Sequence, residues 1–240
     1  MKISVIMQTY LGDYPGSRSE PERKFIRAVD CFLAQSHQDK ELIIVADGCK
    51  KSFDIFHEKY SNYKEIKFCY INKSENRMYD TVDGKRFYRG APKKIGVSMA
   101  DGDLITYCDS DDIMLPTRLE DIAHFWKDKD NSFVLSFNSM RWLAQCNVET
   151  NSCTKVQDKE LDLSDHGIGH KFLLVTAKDG YMVTTSWALT HRKVAGIEWR
   201  DTYGIWEDYE FASRMMKAGR VFAFASETYV LCHYTDLWDY

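Results

Sequence analysis

Asp109, Asp111 and Asp112 crowd three carboxylates into four residues at the exit of an apolar run, Ile105–Cys108. Like charges this close repel, so a fold avoids the arrangement unless something positive sits among them. Clustered carboxylate oxygens suit Mg2+ or Mn2+, which bind through few protein ligands and complete their shells with water and phosphates. Turn chemistry is the competing explanation, because Asp111 and Asp112 precede a helix-like segment opening at Thr117, and aspartate is favoured in turns. A second acid pair, Glu207 and Asp208, opens another helix-like segment. The unpaired amides and dipole of a helix start account for Glu207. Asp208 directly beside it is harder to explain in that way.

Short apolar runs at Lys2–Met7, Glu41–Ala46, Ile66–Ile71 and Leu104–Cys108 alternate with helix-period segments at 22–35, Ser52–Tyr60 and Lys93–Ala100. Near-continuous apolar strands separated by helices predict a parallel sheet covered on both faces. Ligands bind at the carboxyl ends of such strands, so Asp13, Asp47 with Gly48, and Asp109–Asp112 are expected on one rim. Thr117 to Glu120 has the spacing of a capping box, with Leu119, Ile122, Ala123 and Trp126 as the buried face. Past residue 132 strand-like runs dominate: Phe133–Asn138, Met140–Leu143, Thr184–Leu189, Val221–Ala225 and Tyr229–His233. One clear helix, Glu207–Ala218, interrupts them and is expected to end at Gly219. A hairpin turn is expected at 147–152, a loop at 158–170, and the polar segment 72–90 reads as a solvated surface loop, with an acceptor-facing loop as the alternative.

The bulk numbers exclude several classes. The 240 residues suffice for one large domain, and a formal charge of −4 with no basic block argues against binding nucleic acid by bulk electrostatics. No segment approaches the ~18 apolar residues of a membrane span, and "ISVIM" near the start is too short for a signal-peptide core. Seven scattered cysteines without a C-x-x-C pair point to a reduced, cytoplasmic protein, with any contact to a membrane surface peripheral. His166 and His170 stand four apart in "HGIGH", but the two glycines oppose a helix and two ligands do not make a zinc site.

Four blocks in order resemble the family 2 glycosyltransferases. "SVIMQTY" is similar to that family's S-V-I-x-P-T-Y, and "CFLAQSHQDKELIIVADGC" to its S-L-x-Q-T-x-x-x-x-E-I-I-V-V-D-D-G-S. "MADGDLITYCDSDDIMLP" is similar to A-x-G-E-Y-I-x-F-L-D-x-D-D-x-x-x-P, and "WEDYEFASRMMKAG" to G-E-D-x-D-L-x-x-R-x-x-x-A-G. The resemblance implies an α/β GT-A fold, a nucleotide-diphosphate sugar donor, a divalent metal, Mn2+ or Mg2+, and inversion at the anomeric carbon. It implies one domain over 1–240, with a nucleotide-sugar-binding half to residue 112 and an acceptor-binding, catalytic half after it.

Carried residue by residue, the resemblance sets Thr9 and Tyr10 beside the nucleobase and Asp47 as its hydrogen-bond acceptor, commonly for uracil. Asp109, Ser110 and Asp111 match the D-x-D element, facing ribose and metal, with Asp111 as direct ligand. Asp208 matches the general base, and His233 a late histidine that completes the metal site. Glu207, Trp206 and Trp187 are expected on the acceptor side. Inverting transfer fits this set, since it needs a carboxylate to take the acceptor proton and a cation to offset charge on the departing diphosphate.

Some positions depart from the pattern. Ala46 and Cys49 replace an acid and a serine of D-D-G-S, and Gln8 replaces a proline. "APKKIG" stands where A-R-N-x-G is common, so Lys93 or Lys94 is expected to take the arginine's place at the diphosphate. His191 and Arg192 are further candidates for reaching phosphate. Two other functions remain open on sequence: a nucleotidyltransferase making sugar nucleotides, and a non-catalytic sugar-nucleotide-binding partner. The acceptor, a glycan, a lipid-linked glycan or another hydroxyl, and the oligomeric state are not encoded in any motif.

Overall fold

The computed structural model describes residues 1–12, 20–72, 81–82, 85–138, 140–147, 152–160, 189–224 and 229–234, with the backbone alone described in 81–82, 85–87, 137–138, 140–147, 152–160, 222–224 and 229–234. The first half runs β1 (Ile3–Thr9), α1 (Pro21–Leu33), β2 (Lys40–Asp47), α2 (Lys50–Ile55), β3 (Ile66–Ile71), β4 (Thr81–Val82), β5 (Lys85–Tyr88), α3 (Ala91–Met99) and β6 (Leu104–Tyr107). The second runs β7 (Ile113–Met114), α4 (Arg118–Trp126), β8 (Phe133–Asn138), β9 (Met140–Asn147), β10 (Ser152–Glu160), β11 (Leu189–His191), β12 (Thr202–Tyr203), α5 (Glu207–Ala218), β13 (Arg220–Phe224) and β14 (Tyr229–Tyr234).

A seven-stranded sheet orders these as β13-β8-β11-β6-β1-β2-β3. The β1–β2, β2–β3, β1–β6 and β8–β13 pairs are parallel, while β11 lies antiparallel between β6 and β8. The four strands expected from the apolar runs, β1, β2, β3 and β6, are parallel as expected, and the antiparallel β11 makes the whole sheet the mostly parallel one that the resemblance implied. The pleat sends alternate side chains to opposite faces. Ile3, Val5 and Met7 of β1, with Leu42, Ile44 and Ala46 of β2, therefore pack with Phe25, Val29 and Phe32 of α1. Ile6, Ile43 and Val45 face the other way, into a core shared with Trp199, Phe211, Ala212 and Met215. Burial on both faces is why these strands show no polar alternation. A second sheet, β10-β9-β14-β7, contains the β9–β10 hairpin whose strands meet at Asn147 and Ser152.

Several local expectations are corrected. Thr117 makes no side-chain cap on α4, and Glu120 instead accepts a 2.7 Å hydrogen bond from Ser36 Oγ, so the capping-box spacing serves a tertiary contact. Gly219 is not a left-handed helix terminator, since its φ is −177°. A Cβ there would come within 2.6 Å of Val134 Cγ1 and 2.7 Å of the Ser132 carbonyl, so close approach to β8 explains the glycine. Within 72–90 lies the small β4–β5 hairpin rather than loop alone, and β10 runs into the expected 158–170 loop as far as Glu160. No helix among the described residues is long and apolar enough to cross a membrane.

Candidate functional site

After β3 the chain returns to β6 on the opposite side of β1, so the sequence order reverses beside β1. That reversal opens a crevice at the carboxyl ends of the strands, where an α/β sheet binds ligands. Asp47 closes β2 at this rim. Arg89, just after β5, grips it with Nε at 2.6 Å from Oδ2 and Nη2 at 3.4 Å from Oδ1. Arg89 Nη1 also lies 3.7 Å from Asp201 Oδ2. The Gly90 and Ala91 amides each donate to Asp201 Oδ1 at 2.9 Å, which caps the start of α3. A Cβ on Gly90 would fall 2.3 Å from the Arg200 carbonyl, so only glycine lets the two chain segments meet here. Arg89 was not singled out from the sequence. Its partner lies 42 residues away, and neither periodicity nor a motif joins them.

At the end of β1, the Thr9 hydroxyl is buried and lies 3.1 Å from Ser52 Oγ, so it faces α2. Tyr10 is partly buried against the core, and its ring lies where a Cβ on Gly12 would be, 2.5 Å from the phenol oxygen. Asp109, Ser110 and Asp111 are half-buried after β6, whereas Asp112 is 2% exposed. The Asp112 amide donates to the Asp109 carbonyl at 3.1 Å, and Arg27 Nη2 donates to the Asp111 carbonyl at 2.9 Å. These contacts fix the backbone of the acid loop. Lys24, Arg27 and Arg118 are all buried cations on α1 and α4. Among the described residues no three His, Cys, Asp or Glu side chains form a ready-made metal cage.

The Glu207–Asp208 pair opens α5 and is almost wholly buried, each residue 4% exposed. Lys93 Nζ donates to Glu207 Oε1 at 2.6 Å, and Glu207 Oε2 has no hydrogen-bond partner among the described residues. Burial opposes the charge on Lys93, but Glu207, Asp208 and Asp109 outweigh it and hold its pKa above the ordinary lysine value. The Asp208 carboxyl is pushed well above the usual carboxylate range, first by burial and then by Glu207, against the pull of Lys93. The Tyr209 amide donates to Asp208 Oδ1 at 2.8 Å. Trp206 packs against Tyr88, ring centroids 4.6 Å apart, next to this pair.

Other expected residues lie elsewhere. Lys93 is buried and bonded to Glu207 rather than open at the rim, and the exposed Lys94 pairs with Glu198 at 2.7 Å. His191 is a core residue. Its Nε2 lies 2.7 Å from the Tyr107 hydroxyl and its Nδ1 2.8 Å from the Arg192 carbonyl, and burial lowers its pKa to about 4. Neutral and enclosed, it cannot serve as a phosphate cation. Asp13, His166, His170 and Trp187 lie outside the described residues, as does the side chain of His233.

Three comparisons bear on this arrangement. The family model described as Glycosyl transferase family 2 matches residues 4–141. An uncharacterized glycosyltransferase of Methanocaldococcus jannaschii is 32% identical over 120 residues, 49% of this chain and 34% of the relative. One from Haemophilus influenzae is 28% identical over 146 residues, 60% of this chain and 52% of the relative. The matched segments thus span about half or less of the length of these relatives. Among solved structures, S. aureus TarS 1-349 in complex with UDP-GlcNAc superimposes with a TM-score of 0.63 at 17% identity, covering 96% of this chain and 58% of that one. The UDP complex of TarS 1-349 gives the same TM-score and identity, covering 60% of that chain. At that identity the likeness is one of fold.

Proposed function

The chain belongs to glycosyl transferase family 2, and from that premise we propose that it moves a sugar from a nucleotide-diphosphate donor, a UDP-sugar, to an acceptor hydroxyl with inversion. One observation carries the reading. The Lys93 ammonium bonds Glu207 at 2.6 Å and is also held charged by Asp208 and by Asp109, so the acid pair of α5 and the acid loop after β6 act on one buried cation. The UDP and UDP-GlcNAc complexes of the TarS fold relative support the choice of uridine.

In this reading the Asp47 carboxylate accepts a hydrogen bond from the base, and Arg89 fixes its orientation. Tyr10 offers a ring face. Asp109 and Asp111 would hold Mg2+ or Mn2+; two half-exposed carboxylates on a fixed backbone suit a cation that takes few protein ligands and keeps its waters and phosphates. When bound, such a cation would offset the charge growing on the departing diphosphate. Asp208 takes the acceptor proton as the hydroxyl oxygen bonds to the anomeric carbon. The bond from that carbon to the phosphate oxygen breaks, and the diphosphate leaves with the electron pair. Burial and Glu207 raise the Asp208 pKa, which makes its carboxylate the stronger base toward the acceptor proton.

Thermal unfolding with UDP, GDP, CDP, ADP or dTDP, each with and without Mn2+, tests the site on the wild type and on Asp111→Asn. A ligand at about 100 times its Kd adds about 2.7 kcal/mol, a rise of roughly 5–10 °C. UDP is expected to give that rise only with the metal, and Asp111→Asn to lose it. No shift with any nucleotide in the presence of metal overturns the proposal. Product analysis then separates glycoside plus UDP from sugar nucleotide plus pyrophosphate.

A further inference from the structure

We propose that Lys93 is a positioning residue for the base, tying the Glu207–Asp208 pair to α3, and is not a ligand of the donor diphosphate. The inference rests on the glycosyl-transfer reading of this same site. Helix α3 is an anchored platform. Asp201 caps its first amides, and Gly90 admits no side chain against Arg200. Further along, a Cβ on Gly96 would lie 2.5 Å from Ile6 Cγ2, so the helix sits hard against β1. Lys93 leaves this platform in the first turn and reaches α5, 114 residues later, through a 2.6 Å bond to Glu207 Oε1.

The ammonium is enclosed as well as bonded. Its Nζ lies 4.6 Å from the Trp199 ring centroid, and the face of an indole attracts a cation. Trp199 is itself immobilised. It stacks on Phe211 at 4.2 Å with planes 8° apart, and its Nε1 donates to the Tyr107 hydroxyl at 2.6 Å. Lys93 is 3% exposed, so reaching a diphosphate would mean leaving both the ring and Glu207. That would strand a buried carboxylate which already has one oxygen without a partner. The ammonium also supplies the positive charge that two adjacent buried acids require, with Asp208 following directly on the residue it holds. A lysine bound to phosphate would govern donor affinity. A lysine bound to Glu207 governs where the base stands, and so governs turnover.

Calorimetric titration of UDP with Mn2+, and steady-state kinetics with the UDP-sugar, distinguish the two roles in Lys93→Met and Lys93→Arg. UDP affinity and donor KM are expected to stay within twofold of wild type in Lys93→Met while kcat falls ~100-fold, the scale of a misplaced catalytic group. Lys93→Arg is expected to recover part of kcat because it keeps the charge. A tenfold or greater loss of UDP affinity in Lys93→Met makes Lys93 a diphosphate ligand and overturns the proposal. If the wild type binds no UDP, the site reading fails, and the clamp is judged by thermal unfolding of Lys93→Met, Glu207→Gln and the double variant. A double variant at least as stable as either single variant supports the clamp, and simply additive losses refute it. The same cycle applies if Lys93→Met alone fails to fold.

Discussion

Replacing Glu41 with glutamine should remove a charge the fold depends on, and the loss should fade in acid. Glu41 starts β2 at the end of the sheet opposite the crevice, and its side chain is 3% exposed. Both oxygens are occupied. Oε1 accepts from Ser4 Oγ and the Asp101 amide, each at 2.6 Å, and Oε2 lies 2.9 Å from Lys2 Nζ and 2.9 Å from Lys67 Nζ. Burial pushes the carboxyl pKa up, but these four donors outweigh it and bring the value from 4.5 down to about 2. A folded pKa below the unfolded one stabilises above the unfolded value and is lost as pH falls through the folded one. The drop corresponds to about 3 kcal/mol at pH 7, of which about 1 kcal/mol is left at pH 3. Glu41→Gln is therefore expected to melt about 6–12 °C below wild type at pH 7 and only about 2–4 °C below it at pH 3. Calorimetric scans of both proteins at each pH cancel every other titrating group. A gap of equal size at both pH values would show that packing, not the carboxylate charge, stabilises this end of the sheet.

Asp208→Asn should reduce kcat by about 100- to 10,000-fold with donor affinity preserved, measured by turnover and calorimetry, because an amide cannot take the acceptor proton. Arg89→Met should weaken UDP binding by roughly tenfold and leave kcat at saturating donor close to wild type, since Arg89 orients Asp47 through a 2.6 Å bond and touches neither acid of the Glu207–Asp208 pair. His191, with its pKa lowered to about 4 by burial, resists protonation only in the fold. Stability should therefore fall between pH 6.5 and 4 by up to about 3 kcal/mol, and His191→Gln should flatten that slope in denaturant titrations.

What could be read in the sequence follows from how local each cause is. Strands β1, β2 and β6 were legible because burial on both faces leaves an apolar run with no competing period. Helix α5 matched to the residue, Glu207 to Ala218, because an acidic start and a glycine end bracket one apolar face. Positions whose partner is distant were not legible. Asp47 was expected at the rim, but Arg89 arrives through the β4–β5 region, and no spacing rule links the two. Lys93 or Lys94 was expected at the diphosphate because "APKKIG" stands where A-R-N-x-G is common, and the bond from Lys93 to Glu207, 114 residues away, leaves no mark in that local pattern. The helix expected over 52–60 carries a π-helical turn at Phe56–Tyr60 that buries both end rings, a deformation set by packing rather than by the 3.6 period.

The three crowded aspartates can now be separated by what surrounds each. Asp112 is buried, and the Cys108 thiol pKa is raised first by burial and then by the charges of Asp112 and Asp109, against Arg118. Arg27 reaches the same loop from α1 through the Asp111 carbonyl. The chain therefore brings its own cations to the inner side of the cluster, and Asp112 needs no metal to justify its charge. The turn explanation also holds in part, because the Asp112 amide closes a turn onto Asp109. Asp109 and Asp111 are less buried than Asp112 and follow β6, where the sheet order reverses. The acids of the cluster therefore differ in their surroundings, Asp112 enclosed and the other two nearer the surface. That difference, rather than the mere density of acids, is why the proposed cation is assigned to Asp109 and Asp111 and not to Asp112.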